Sequence, residues 1–169
     1  MHDDNTANNG EGFRKFLIFL FVDYVLEYLS DIMVSMKIFI ICSKAFYDKV
    51  PPIKKELEEM GHETILPNSL DNPDSEKEAW QSGNHAEFKS RMYQESRDKV
   101  SNIDAVLTLN FEKNGVKNYI GGCTFLELYD AFMLGKKIYL WNDIPEGILF
   151  DEIHGFAPIT IHGDLKKIF

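Results

Sequence analysis

The chain has 169 residues, 44% of them hydrophobic and 27% charged, and carries a formal net charge of −9 at pH 7. That length accommodates one ordinary domain with a real core and is too short for two large ones. The acidic balance excludes a nucleic-acid backbone as partner, which needs a basic face, but leaves room for a small nucleotide held by a local nest of donors.

Residues 1–12 are polar and read as a disordered tail. The following stretch, FLIFLFVDYVLEYLSDIMV, carries Asp23, Glu27 and Asp31 every four residues, on one face of a helix. Each acid near a bilayer centre would cost about 2.5–3.5 kcal/mol, and no small-residue cleavage site follows. The stretch therefore reads as an amphipathic helix rather than a membrane span or signal peptide. Met36 opens MKIFIIC, a natural first strand, so residues 1–35 read equally as an extension, with the α/β domain over 36–169.

From Met36 onward strands and helices alternate. Lys37–Cys42 is a buried strand, and a loop leads to Pro51-Pro52, whose fixed φ suits a first helical turn. The helix IKKELEEM ends at Gly61, and Glu63–Leu66 is the second strand. Residues 70–84 are polar, with Asn-Pro and Ser-Gly turn signals, and read as a flexible flap. A helix spans Ala86 to about Asn102. Ala105–Leu109 and Lys137–Trp141 are the third and fourth strands, Pro158–Ile161 a fifth, and a short helix near Pro145–Ile153 links the last two. This rhythm predicts an α/β fold: a Rossmann-like or flavodoxin-like parallel sheet of about five strands with helices on both faces.

In such sheets ligands bind beyond the carboxyl ends of the strands, where the strand order reverses. Those ends carry Cys42-Ser43-Lys44, Pro67-Asn68-Ser69 and the loop from Asn110, which turns into a helix near Thr124 that stops at Gly135. A small-residue loop entering a helix N-terminus suits an anionic or sugar-like ligand. Thr124-Phe125-Leu126-Glu127 has two readings. It is a capping box, in which Glu127 reaches back to its own helix, or Glu127 is a carboxylate at the mouth of the crevice, available as nucleophile or general base. Asp130, one turn on, reads as a solvated acid. Cys42 and Cys123 form neither a metal spacing nor a disulfide framework and read as small buried residues of a reduced, cytoplasmic protein. The five histidines match no zinc signature, and no metal or organic cofactor is implied.

The run from Ile103 to Leu140 resembles the core of the nucleoside 2-deoxyribosyltransferase family and its deoxynucleoside-monophosphate N-glycosidase relatives. Val100 and Asp104 with the strand Ala105-Val106-Leu107 match the first part of the pattern. Thr124, Glu127, Leu128, Ala131, Gly135 and Lys136 match the second. The resemblance implies that Glu127 is the nucleophile attacking the anomeric carbon, and that Asp104 joins it in the catalytic site by lining the sugar or base pocket. It also implies a small nucleoside or nucleotide as partner, and sites commonly built across a homo-oligomer. The chain departs from the pattern at Gly121, where the family has an acid, at Gly122-Cys123, at Tyr129 and at Ser96.

On that resemblance, Ser43 and Lys44 are candidates to meet a 5′-phosphate, and Phe46 and Tyr47 to stack on a base. Asn110 and Asn118 are candidates to hold sugar hydroxyls or the base edge, although loop asparagines also serve turns and left-handed positions. Asn68, Tyr119, Gly121, Gly122 and Thr124 complete the expected substrate-binding set. The expected activity is cleavage or exchange of a deoxynucleoside N-glycosidic bond. The alternatives are a catalytically degenerate nucleotide-binding domain on the same fold, or an interaction module that dimerises through its N-terminal helix.

Overall fold

Short β-branched runs too apolar to face water on either side form strands buried on both faces. The computed structural model describes residues 35–169, together with residues 14, 15, 18, 19 and 21. The amphipathic helix expected over the N-terminal stretch lies largely outside the described residues. Among the described residues no helix is long and apolar enough to cross a membrane.

Within the unit Ser35–Phe169, the strands are β1 (Lys37–Cys42), β2 (Glu63–Ile65), β3 (Ala105–Leu109), β4 (Lys137–Leu140) and β5 (Ile159–Thr160). They make one parallel sheet in the order β2-β1-β3-β4-β5, a flavodoxin-like arrangement. The helices are α1 (Val50–Glu59), α2 (Ser75–Gln81), α3 (His85–Ser101), α4 (Gly122–Met133) and α5 (Phe150–Gly155). The alternation of side chains along each strand splits the core in two. Ile38, Ile40, Leu107 and Tyr139 meet Val50, Ile53 and Leu57 of α1 and the C-terminal Ile161, Leu165 and Ile168. On the other face Phe39, Ile41, Val106 and Leu140 meet Val100 of α3, Leu128 and Ala131 of α4 and Ile153 of α5.

Three local expectations are corrected. Residues 70–84 are not a structureless flap, because Ser75–Gln81 is helical and anchored by the buried Ala79. The segment after β1 winds into a 3₁₀ helix over Lys44–Lys49, started by Ser43, whose side chain accepts from the Ala45 N–H. Helix α4 starts at Gly122 rather than near Thr124. Its far end follows the sequence reading, since Gly135 takes φ +64°, the left-handed C′ position that favours glycine.

Candidate active site

β1 and β3 are neighbours at the point where the strand order reverses, and beyond their carboxyl ends lies a crevice of about 300 Å³. Of the expected residues, it gathers Ser43, Lys44 and Tyr47 from the segment after β1, and Asn68 from the end of β2. It also gathers Tyr119, Gly121, Gly122, Thr124 and Glu127 from the loop after β3 and from α4.

Glu127 occupies the base of this crevice. With the helix starting at Gly122, Thr124 is its third residue and Glu127 its sixth, which puts the glutamate in the second turn. That geometry removes the capping box. The N-cap is Gly121, no side chain bonds the free N–H groups of the first turn, and Thr124 is buried. The Glu127 carboxylate instead turns across to α3, where the Ser96 hydroxyl donates to its Oε1 at 2.8 Å. Desolvation pushes the Glu127 pKa up to about 7, against the Ser96 hydrogen bond and the charges of Lys99 and Lys89, while Asp130 adds to the rise. Burial lowers the pKa of the nearby Lys99, whose ammonium donates to the Leu66 carbonyl at 2.9 Å. Behind Ser96 stands Asn68, whose amide donates to the Ser96 Oγ and to the Met92 carbonyl, each at 3.1 Å. The relay Asn68–Ser96–Glu127 fixes the carboxylate in orientation and leaves Asn68 Oδ1 buried without a hydrogen-bond partner among the described residues.

The upper walls are cationic. Lys44 and Lys89 each contact Glu76 at 3.1 Å, and Lys113 donates to Ser43 Oγ at 3.0 Å while lying over the Tyr119 ring. Gly121 permits a close approach by that ring, because a Cβ there would stand 3.2 Å from the Tyr119 hydroxyl. Burial drives the Tyr47 pKa upward, with the Cys42 and Glu127 charges adding to the shift, so its hydroxyl stays a proton donor. Burial likewise pushes the Cys42 thiol up to about 12, with Glu127 and Asp48 contributing, which makes it an inert wall. Cys123, by contrast, is exposed rather than buried, and its Sγ accepts from Lys89 at 3.0 Å.

Four expected site residues lie elsewhere. Asp104 stands at the start of β3, the edge of the sheet opposite the crevice. Its carboxylate accepts from the Lys37 N–H at 2.7 Å and its own N–H donates to the Lys37 carbonyl, so it pins β3 to β1. An Asp104→Ala chain is expected to lose about 1 kcal/mol, read from the urea midpoint, with any turnover unchanged. Phe46 is core, packed edge-on against Phe111. Asn110 is fully buried and tied to the segment after β4, with its amide donating to the carbonyls of Asn142 and Asp143 and its Oδ1 accepting from the Asn142 N–H. Asn118 takes φ +53°, a turn position, as Asn114 and Gly115 do in the tight hairpin closed by Lys113 and Val116.

Sequence reasoning missed Glu76, Lys89, Met92 and Lys113, and met Ser96 only as a departure from the family pattern. Lys89, Met92 and Ser96 recur at spacings of three and four along α3, which is a helical face signal. Glu76 gave no such signal, since its helix is short and mostly polar. Among the described residues no group of three or more His, Cys, Asp or Glu side chains is arranged to hold a metal ion. No protein-family model matches the chain, and no curated protein matches it.

Proposed function

We propose that the protein cleaves or exchanges the N-glycosidic bond of deoxynucleosides or their 5′-monophosphates, with Glu127 as the nucleophile. The observation that carries this reading is the placement of Glu127. It is a carboxylate turned away from its own helix terminus, oriented by Ser96, and desolvated to a pKa of about 7 at the base of the crevice. A buried anion short of compensating charge gains most from a cation that develops beside it, and glycosidic cleavage passes through an oxocarbenium-like state. The carboxylate oxygen bonds to the anomeric carbon as the carbon–nitrogen bond breaks. The electron pair of that bond goes to the base, which takes a proton from water, and the attacking water or second base gives one up in the next step. Water, or the nitrogen of a second base, then displaces Glu127 and restores the carboxylate. The neutral Tyr47 hydroxyl is a group in the same crevice suited to sugar hydroxyls and base edges.

The test is base release from a panel of deoxynucleosides and their 5′-monophosphates, with and without a second free base, followed by chromatography. Wild type is expected to release or exchange base, and Glu127→Ala to lose about 10³-fold or more of that rate. Equal silence of both proteins across the panel sinks the nucleophile assignment and leaves a ligand-binding domain as the better account of the crevice. The pH profile is a second expected outcome. Only the ionised carboxylate attacks, so kcat/KM should fall about tenfold per unit below a midpoint near 7. A midpoint near 4.5 would mean that the acting group is not this desolvated carboxyl.

A further inference from the structure

Glu76 has no part in the chemistry above, yet it reaches into the crevice from α2. Its Oε2 lies 3.1 Å from Lys44 Nζ, and its Oε1 lies 3.1 Å from Lys89 Nζ and 3.3 Å from His85 Nε2. One carboxylate thus bridges two ammonium groups from different walls, Lys44 from the segment after β1 and Lys89 from α3. Burial works against its ionisation, but the hydrogen bonds from Lys44, Lys89 and His85 hold its pKa down at about 2. At neutral pH it is an anion. The helix that carries it is lightly held: seven residues, no side-chain cap, Ala79 as its one buried residue, and Trp80 exposed and stacked on His85 at 3.9 Å. Close by, Lys113 bonds Ser43 and adds a third ammonium to the same crevice.

We propose that Lys44 and Lys89 are the subsite for the anionic end of the ligand, a phosphate monoester, and that Glu76 is an intramolecular anion that fills this subsite until the ligand displaces it. A phosphate oxygen pair spans two ammonium groups much as the Glu76 oxygens do, carries more charge, and finds the Lys113 ammonium in the same crevice. Neutral ligands leave Glu76 seated. Phosphorylated ones gain the lysines but must first displace it, so the lysines confer the preference for charge and Glu76 tempers it. The proposal rests on the crevice being the ligand site and deepens the glycosidic reading by favouring the 5′-monophosphate.

The test is calorimetric titration of inorganic phosphate, 2-deoxyribose 5-phosphate and 2-deoxyribose at constant ionic strength. If Glu76 holds the lysines most of the time, Glu76→Gln binds both phosphates about tenfold or more tightly than wild type, and 2-deoxyribose no differently. Adding Lys89→Met to Glu76→Gln should cancel the gain. A Glu76→Gln affinity equal to or below that of wild type overturns the proposal, as does a gain that survives the loss of Lys89. A second readout keeps Glu76 native: the chain has two tryptophans, so Trp141→Phe leaves Trp80 alone to report. Saturating phosphate should shift its emission as Glu76 lets go of His85 beneath the indole, and unchanged emission counts against displacement. No bond is cleaved in these measurements. Phosphate-dependent displacement without base release ends the glycosidic reading and keeps this one, and base release with no effect of Glu76 does the reverse.

Discussion

Replacing Glu127 with glutamine is expected to stabilise the fold by about 2–3 kcal/mol at pH 8 while abolishing turnover. The folded-state pKa of about 7 lies above the ordinary value of 4.5, because burial penalises the charged form. Below pH 4.5 the group is neutral whether the chain is folded or not, and folding costs nothing on its account. Between 4.5 and 7 the unfolded chain releases its proton first, so stability falls as pH rises. Above 7 the full penalty is present. Glutamine keeps the shape and the acceptor for the Ser96 hydroxyl, and it carries no charge at any pH. The expected signature is a rise in Tm on the order of 10 °C at pH 8 that shrinks to nothing near pH 4. A glutamine variant that is less stable at pH 8 would show that the carboxylate is solvated or paired more fully than its surroundings indicate.

Asn110→Ala is expected to cost about 2–4 kcal/mol and to leave the KM of the folded fraction unchanged. The Asn110 side chain is fully buried and satisfies two carbonyls and one N–H of Asn142 and Asp143, while the Asn142 amide returns a hydrogen bond to the Asn110 carbonyl. Truncation removes the side-chain partner of three part-buried backbone groups. Asn110→Asp should be worse, because a carboxylate oxygen would face the Asp143 carbonyl that the amide now donates to at 2.8 Å. The urea midpoint measures the loss. A raised KM with an unchanged midpoint would return Asn110 to the ligand site.

What the sequence revealed follows the range of the interaction. Strands β1 and β3 are apolar at every position but Lys37 and Thr108 and are flanked by polar or turn residues, so local pattern specifies them. Glu127 was legible as a candidate because it sits in a helix that begins at a glycine-rich loop, but its partner was not. Ser96 stood out only as a departure from the family pattern; it lies 31 positions away on another helix, and nothing local to either residue announces the bond. Asp104 illustrates the opposite case. Its match to a family pattern placed it in the site, whereas the direction of a parallel strand puts its first residue at the far edge from its last. Asn110 was misread for a different reason: an asparagine after a strand looks the same whether it faces a ligand or stitches two loops together.

The sheet order has a consequence for how the molecule is made. The seam that carries the crevice joins β1 to β3, and Lys37 and Asp104, which meet at its lower end, are 67 positions apart in the chain. Closing that span takes conformational entropy before any contact rewards it, so pairing of β1 with β3 belongs to the slow part of assembly. The first half of the chain holds β1 and β2 and the second half β3, β4 and β5, so neither half contains both walls. The pocket is therefore one of the last features to exist as the chain folds and among the first to vanish if β1 and β3 separate. A ligand that fills it would hold shut the longest-range seam in the sheet.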